Sequence, residues 1–135
     1  VVRGAGAAGP HEILAQVARA LAIPIATGER LTTKREFARA LAAGATILQP
    51  ALGRSGGIWE SRKIAASVEA ASAQITPHLY AGPVAWAANI QPAAAIPNLL
   101  MAQTIETDFH ARLIKGTIRV EEGFIRPNAL ALAFR

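Results

Sequence analysis

Short apolar runs that end in a polar or charged residue recur along this chain, and each is followed by a stretch with helical spacing. Ile23-Pro-Ile-Ala-Thr-Gly-Glu-Arg30 is the clearest case: an apolar run stops at a glycine and then presents a lone carboxylate. Gln49-Pro50, Pro77-His78 and Ala102-Gln103 close the later runs. Strands that alternate with helices form a parallel sheet covered by those helices, because a parallel connection needs a crossover of about a dozen residues or more.

The spacing predicts four helix-and-strand units. His11 to Ala22 carries Ile13, Leu14, Val17 and Leu21 at helical intervals, and a strand over Pro24 to Thr27 follows. Thr33 caps a second helix, with Glu36 closing a capping box, and Gly44 ends it. Thr46 to Gln49 is the next strand. Gly56-Gly57 opens a helix over Ile58 to Ala73, and Gln74 to His78 forms the third strand. Gly82-Pro83 starts a fourth helix, with Pro92 inside it, and Leu99 to Gln103 is the fourth strand. The tail differs: residues 116–125 read as a hairpin turning at Glu122-Gly123. The expected division is a flexible Gly/Ala leader over 1–10, a partial barrel over 11–115, and a hairpin and tail over 116–135.

Composition narrows the functions. The chain has 135 residues, 52% hydrophobic and 17% charged, enough for one domain with a real core. Its formal charge is +5, but the basic residues are scattered and aromatics are few, which argues against nucleic acid as a partner. With no cysteine there is neither disulfide framework nor thiolate chemistry, in keeping with a cytoplasmic location. Pro83, Asn89, Gln91, Pro92, Pro97 and Asn98 interrupt the apolar stretch from Gly82 to Ala102, so no membrane span is expected. The chain opens on Val1 rather than methionine, as a fragment or a processed product would.

Ala26-Thr-Gly-Glu-Arg30, Ile47-Leu-Gln-Pro50, Gly56-Gly57-Ile58, Arg62-Lys63-Ile64-Ala65, Pro77-His78 and Gly82-Pro83 occur in this order. Together they resemble the C-terminal barrel domain of the mandelate racemase/muconate lactonizing branch of the enolase superfamily. Within it they lie nearest the acid-sugar dehydratases of the galactonate type. The resemblance covers roughly Ile13 to Val120 and implies an α/β fold, the C-terminal half of a TIM-type (β/α) barrel. It also implies Mg²⁺-assisted removal of the proton α to a carboxylate, an enediolate, and loss of a β-hydroxyl as water. Racemization within the same superfamily is a lesser alternative.

Carried over by position, Glu29 matches a metal carboxylate and His78 the catalytic histidine. Histidine is the side chain whose ordinary charge change lies near neutrality, which suits an acid/base. Two positions depart from the pattern. Ala51 stands where the family places an aspartate that orients the histidine; by analogy with other orienting carboxylates its loss costs on the order of 10⁴ in rate. Gln103 stands where the family places a glutamate, and cannot carry a proton. Residues 1–10 hold no carboxylate, so two further metal ligands of the family have no counterpart there. One carboxylate does not complete an octahedral Mg²⁺ site. The expectation is therefore a sugar-acid dehydratase chain that is silent in isolation. The alternative is a non-catalytic remnant that serves as an oligomeric or scaffolding module. A half-barrel has two open parallel edges, so it is expected to be a homo-oligomer or to lack its N-terminal half.

Two other motifs are weaker. Gly4-Ala-Gly-Ala-Ala-Gly9 satisfies GxGxxG, with Glu29 downstream as in dinucleotide-binding folds, but only Val1-Val2 clearly precedes it and Pro10 interrupts the helix entry. Gly53-Arg-Ser-Gly-Gly57 satisfies GxSxG, but Pro50 and Leu52 separate Ser55 from the strand. His11 and His110 read as structural or solvated.

Overall fold

The computed structural model describes residues 2–3, 10–103 and 120–125. Its sheet contains β1 (Val2–Arg3), β2 (Ile25–Thr27), β3 (Ile47–Leu48) and β4 (Gln74–Ile75), all parallel and side by side in chain order. The register pairs Val2 with Ile25, Ala26 with Ile47, and Ile47 with Gln74. Helices α1 (Pro10–Ala20), α2 (Lys34–Ala42), α3 (Gly57–Ala70) and α4 (Pro83–Ala95) make the connections and the outer layer. Strands that follow one another without reversal form the wall of a (β/α) barrel. A doubly wound sheet would reverse its order at a switch point. The GxGxxG reading thus loses its topological support, although a strand does precede that motif.

Two expectations need correction. Val2 and Arg3 belong to the sheet rather than to a leader over 1–10. A two-residue strand shows no periodicity that sequence reading could detect. The strand expected over Leu99 to Gln103 is reduced to a single parallel bridge between Ile75 and Leu99. The cause is Pro77. The amide of Ile75 donates to Asn98 O (2.9 Å) and that of Leu100 donates to Ile75 O (2.8 Å), but Pro77 has no N–H to continue the ladder. Only a long contact from Gln103 N to Pro77 O, 3.4 Å, marks its resumption.

The core follows from the helix spacing. On α3 the buried residues are Ser61, Ile64, Ala65 and Val68, one stripe at the helical repeat. Phe37 and Ala40 of α2 and Leu14 of α1 join Ile25, Leu48 and Ile75 of the sheet in the same cluster. Ile13, which also fits the period of α1, remains 49% exposed, and Leu21, expected in the same helix, lies just beyond its end and is 40% exposed, so that helix buries a narrower stripe than its pattern suggests. Both residues of β3 are buried, as in a sheet covered on two faces. A second cluster gathers Leu79, Trp86 and Ile90 around α4. Pro83 sits in the first turn of α4 and Pro92 within it. Among the described residues no helix is long and apolar enough to cross a membrane.

Local signals set two ends as expected. The backbone N–H groups of Thr33 (2.8 Å) and Thr32 (3.0 Å) donate to Glu36 Oε2, while Glu36 N donates to Thr33 Oγ1 at 3.4 Å. The backbone N–H of Thr32, then that of Thr33, pulls the Glu36 carboxyl down to about 2 from its ordinary 4.5. A carboxyl depressed by folding stabilizes above its unfolded value and loses that contribution as pH falls from 4.5 toward 2. Thr33→Ala is expected to cost about 0.5–2 kcal/mol at neutral pH. In urea titrations followed by circular dichroism, Glu36→Gln should remove the part of the wild type's acid sensitivity that falls in that window. In the tail, β5 (Val120–Glu121) and β6 (Phe124–Ile125) pair antiparallel. Glu122 and Gly123 turn between them with φ of 53° and 82°, the left-handed pair that a two-residue hairpin loop requires. Residues 116–119, also assigned to this hairpin from the sequence, lie outside the described residues.

Candidate active site

The site lies where the strands end. Gly28 follows β2 with φ of 131°. A Cβ there would lie 2.8 Å from Gln49 N and 2.9 Å from Phe37 Cε1, so only a residue without a side chain lets this turn press against the neighbouring strand end. The close approach is held by Gln49 N donating to Thr27 O at 2.8 Å. Glu29 comes next and turns its carboxylate toward the strand end that follows β4.

There, the amide of His78 donates to Pro50 O at 3.0 Å, and His78 forms a parallel bridge with Ala51. Its ring Nδ1 lies 2.9 Å from Gln103 Oε1 and 3.6 Å from Glu29 Oε2. The His78 side chain is 14% exposed and that of Glu29 38%, so the imidazole is shielded while the carboxylate reaches water. The four positions singled out from the sequence, Glu29, Ala51, His78 and Gln103, therefore meet at one place although 74 positions separate the first from the last. Glu29, Ala51 and His78 line a cleft of about 620 Å³, together with Arg30, Arg54 and Asn89.

Arg54 and Asn89 were not anticipated. Asn89 is a buried polar residue within the apolar α4, which is a signal that sequence alone could have offered. Arg54 sits in the Gly-rich loop, next to Ser55. Ser55 is buried, and its hydroxyl pairs with Ser61 Oγ at 3.0 Å. It is a packed loop residue and not an exposed nucleophile. His11 is half-buried in α1, away from the lining of this cleft. His110 lies outside the described residues.

Mg²⁺ is the ion that the family resemblance implies. That ion asks for near-octahedral oxygen ligands. Among the described residues no group of three or more His, Cys, Asp or Glu side chains could hold a metal ion. Glu29 offers one hard carboxylate, with an imidazole and an amide beside it. These residues do not by themselves fit Mg²⁺.

Comparison with known proteins places this geometry in a lineage. The chain is 39% identical over 120 residues to D-galactonate dehydratase of Variovorax paradoxus, covering 82% of this chain but 31% of that protein. It is similar to the solved mandelate racemase/muconate lactonizing enzyme from Sulfitobacter sp., with a TM-score of 0.83 and 67% identity, over 87% of this chain and 30% of the other. An enolase from Agrobacterium radiobacter, solved with bound Na and L-malate, superposes with a TM-score of 0.69 at 33% identity, over 73% of this chain and 25% of that one. The chain thus spans about a third of the length of the curated dehydratase it matches. Residues 8–131 match the Enolase C-terminal domain-like family, and with parallel strand ends that converge on a carboxylate and a histidine, the chain belongs to that family.

Proposed function

We propose that this chain carries the proton-transfer side of a sugar-acid dehydratase, with His78 as the acid/base. The observation that supports the reading is that Glu29 and His78 line one cleft, with Gln103 against the imidazole, in a chain similar to D-galactonate dehydratases. The proton α to the substrate carboxylate passes to the imidazole. The hydroxyl on the β-carbon leaves as water with the proton that the His78 imidazolium returns, and the enol tautomerizes to a 2-keto-3-deoxy acid. Arg30 and Arg54 supply positive charge suited to a carboxylate, and Asn89 supplies a donor and an acceptor for a hydroxyl. Glu29 is proposed as one ligand of a Mg²⁺ ion whose remaining carboxylates come from outside the described residues.

On this reading the 135-residue chain alone does not turn over sugar acids. A chimera in which it replaces the matching segment of the Variovorax paradoxus enzyme should dehydrate D-galactonate in a Mg²⁺-dependent way. Glu29→Gln in that chimera should raise the Mg²⁺ concentration needed for half-maximal turnover. A folded chimera with no turnover on D-galactonate or a panel of related acids would sink the proposal, as would a Glu29→Gln variant with unchanged Mg²⁺ dependence.

A further inference from the structure

The residue expected to orient the histidine is missing, since the side chain of Ala51 has no acceptor. Yet His78 is not without a partner. It is flanked by Ala51 on one side of the sheet and by the 103 position on the other, where Gln103 N reaches Pro77 O at 3.4 Å. From there the amide oxygen of Gln103 meets Nδ1 at 2.9 Å. An amide oxygen only accepts, so this contact is a hydrogen bond only when Nδ1 carries the proton. The reverse orientation, with the amide N–H₂ donating to a bare Nδ1, would set the Nδ1 lone pair against Glu29 Oε2 at 3.6 Å. Both oxygens that face this nitrogen favour a proton on it.

We propose that Gln103 is the positioning residue of His78: it holds the ring in the Nδ1-protonated tautomer and leaves Nε2 as the basic nitrogen, in place of a carboxylate at position 51. Glu29 is a poorer candidate for this task. It stands beyond hydrogen-bond reach at 3.6 Å, and a carboxylate engaged with a cation would not be available to the ring. An orienting partner matters because an imidazole in the wrong tautomer presents a proton where a lone pair is needed; in a serine protease triad that error costs about 10⁴ in kcat.

The inference rests on the reading of His78 as the proton acceptor, but its test needs neither substrate, metal nor turnover, so the two can fail separately. Long-range ¹H–¹⁵N correlation spectra of the imidazole, recorded on the 135-residue chain in alkaline buffer, report which nitrogen is protonated. The wild type should show Nδ1–H as the major form. Gln103→Leu should lose that majority while keeping the wild-type circular dichroism spectrum. Gln103→Glu, which keeps an acceptor oxygen at the same reach, should retain it, and so should Glu29→Gln. If Gln103→Leu does not fold, Gln103→Asn, whose amide is one methylene shorter, carries the same expected loss. Persistence of the Nδ1–H form in the Gln103→Leu or Gln103→Asn variant, or its loss in Glu29→Gln or Gln103→Glu, overturns the proposal.

Discussion

Replacing His78 with alanine in the Variovorax chimera is expected to lower kcat by about 10²–10⁴, the range that positioned acid–base catalysis supplies. The fold should survive the change. The backbone bond from His78 N to Pro50 O, 3.0 Å, does not depend on the side chain, and the ring lies at the cleft rather than in either apolar cluster. Initial rates on D-galactonate at saturating Mg²⁺ are the measurement, with circular dichroism as the control. An interaction made mainly in the transition state lowers kcat and kcat/KM together. A rise in KM with kcat unchanged would reduce His78 to a binding residue and remove the acid/base assignment.

Gly28→Ala should be the most damaging change to stability. Two costs add at this position. A φ of 131° is strained for any residue with a side chain, at about 1–3 kcal/mol. The new methyl would also press against a backbone nitrogen at 2.8 Å and the Phe37 ring at 2.9 Å, and overpacking of this kind costs about 1–3 kcal/mol. Neither neighbour can yield easily. Gln49 N is held by Thr27 O, and Phe37 is 1% exposed within the main cluster. The sum, about 2–6 kcal/mol, is a large share of the 5–15 kcal/mol that holds an ordinary domain together. Gly53→Ala is the matched control, because nothing lies within 4 Å of its added methyl. Urea midpoints for the two variants should separate clearly; equal midpoints would show that the Gly28 turn relaxes at no cost.

Features carried by neighbouring residues could be read from the sequence. The box between Thr33 and Glu36 and the turn at Glu122-Gly123 depend on side chains and φ values within a few positions, and both formed as expected. The parallel α/β order was also legible, since it follows from period and spacing. Strand extents were not, because they depend on which partner can donate. Pro77 looks like a strand residue in sequence, and only the adjacent backbone shows that its missing N–H stops the ladder. The pairing of His78 with Gln103 was hidden for a similar reason. Both residues were singled out, but at a separation of 25 positions, only the register of two strand ends brings them together. Ser55 shows how a Gly-rich loop can satisfy a nucleophile motif without exposing its hydroxyl, as the poor strand-to-loop spacing in the sequence already indicates.

The division of labour along the strands has a consequence for how such a chain changes over time. Phe37, Leu48, Ile64 and Ile75 hold the layers together, while Ala51 and His78 line the cleft and belong to neither apolar cluster. Side chains that point into the cleft without close neighbours can therefore be exchanged at little cost to folding, whereas the Gly28 turn cannot. A fold of this kind can hold its shape while the groups that face its opening change.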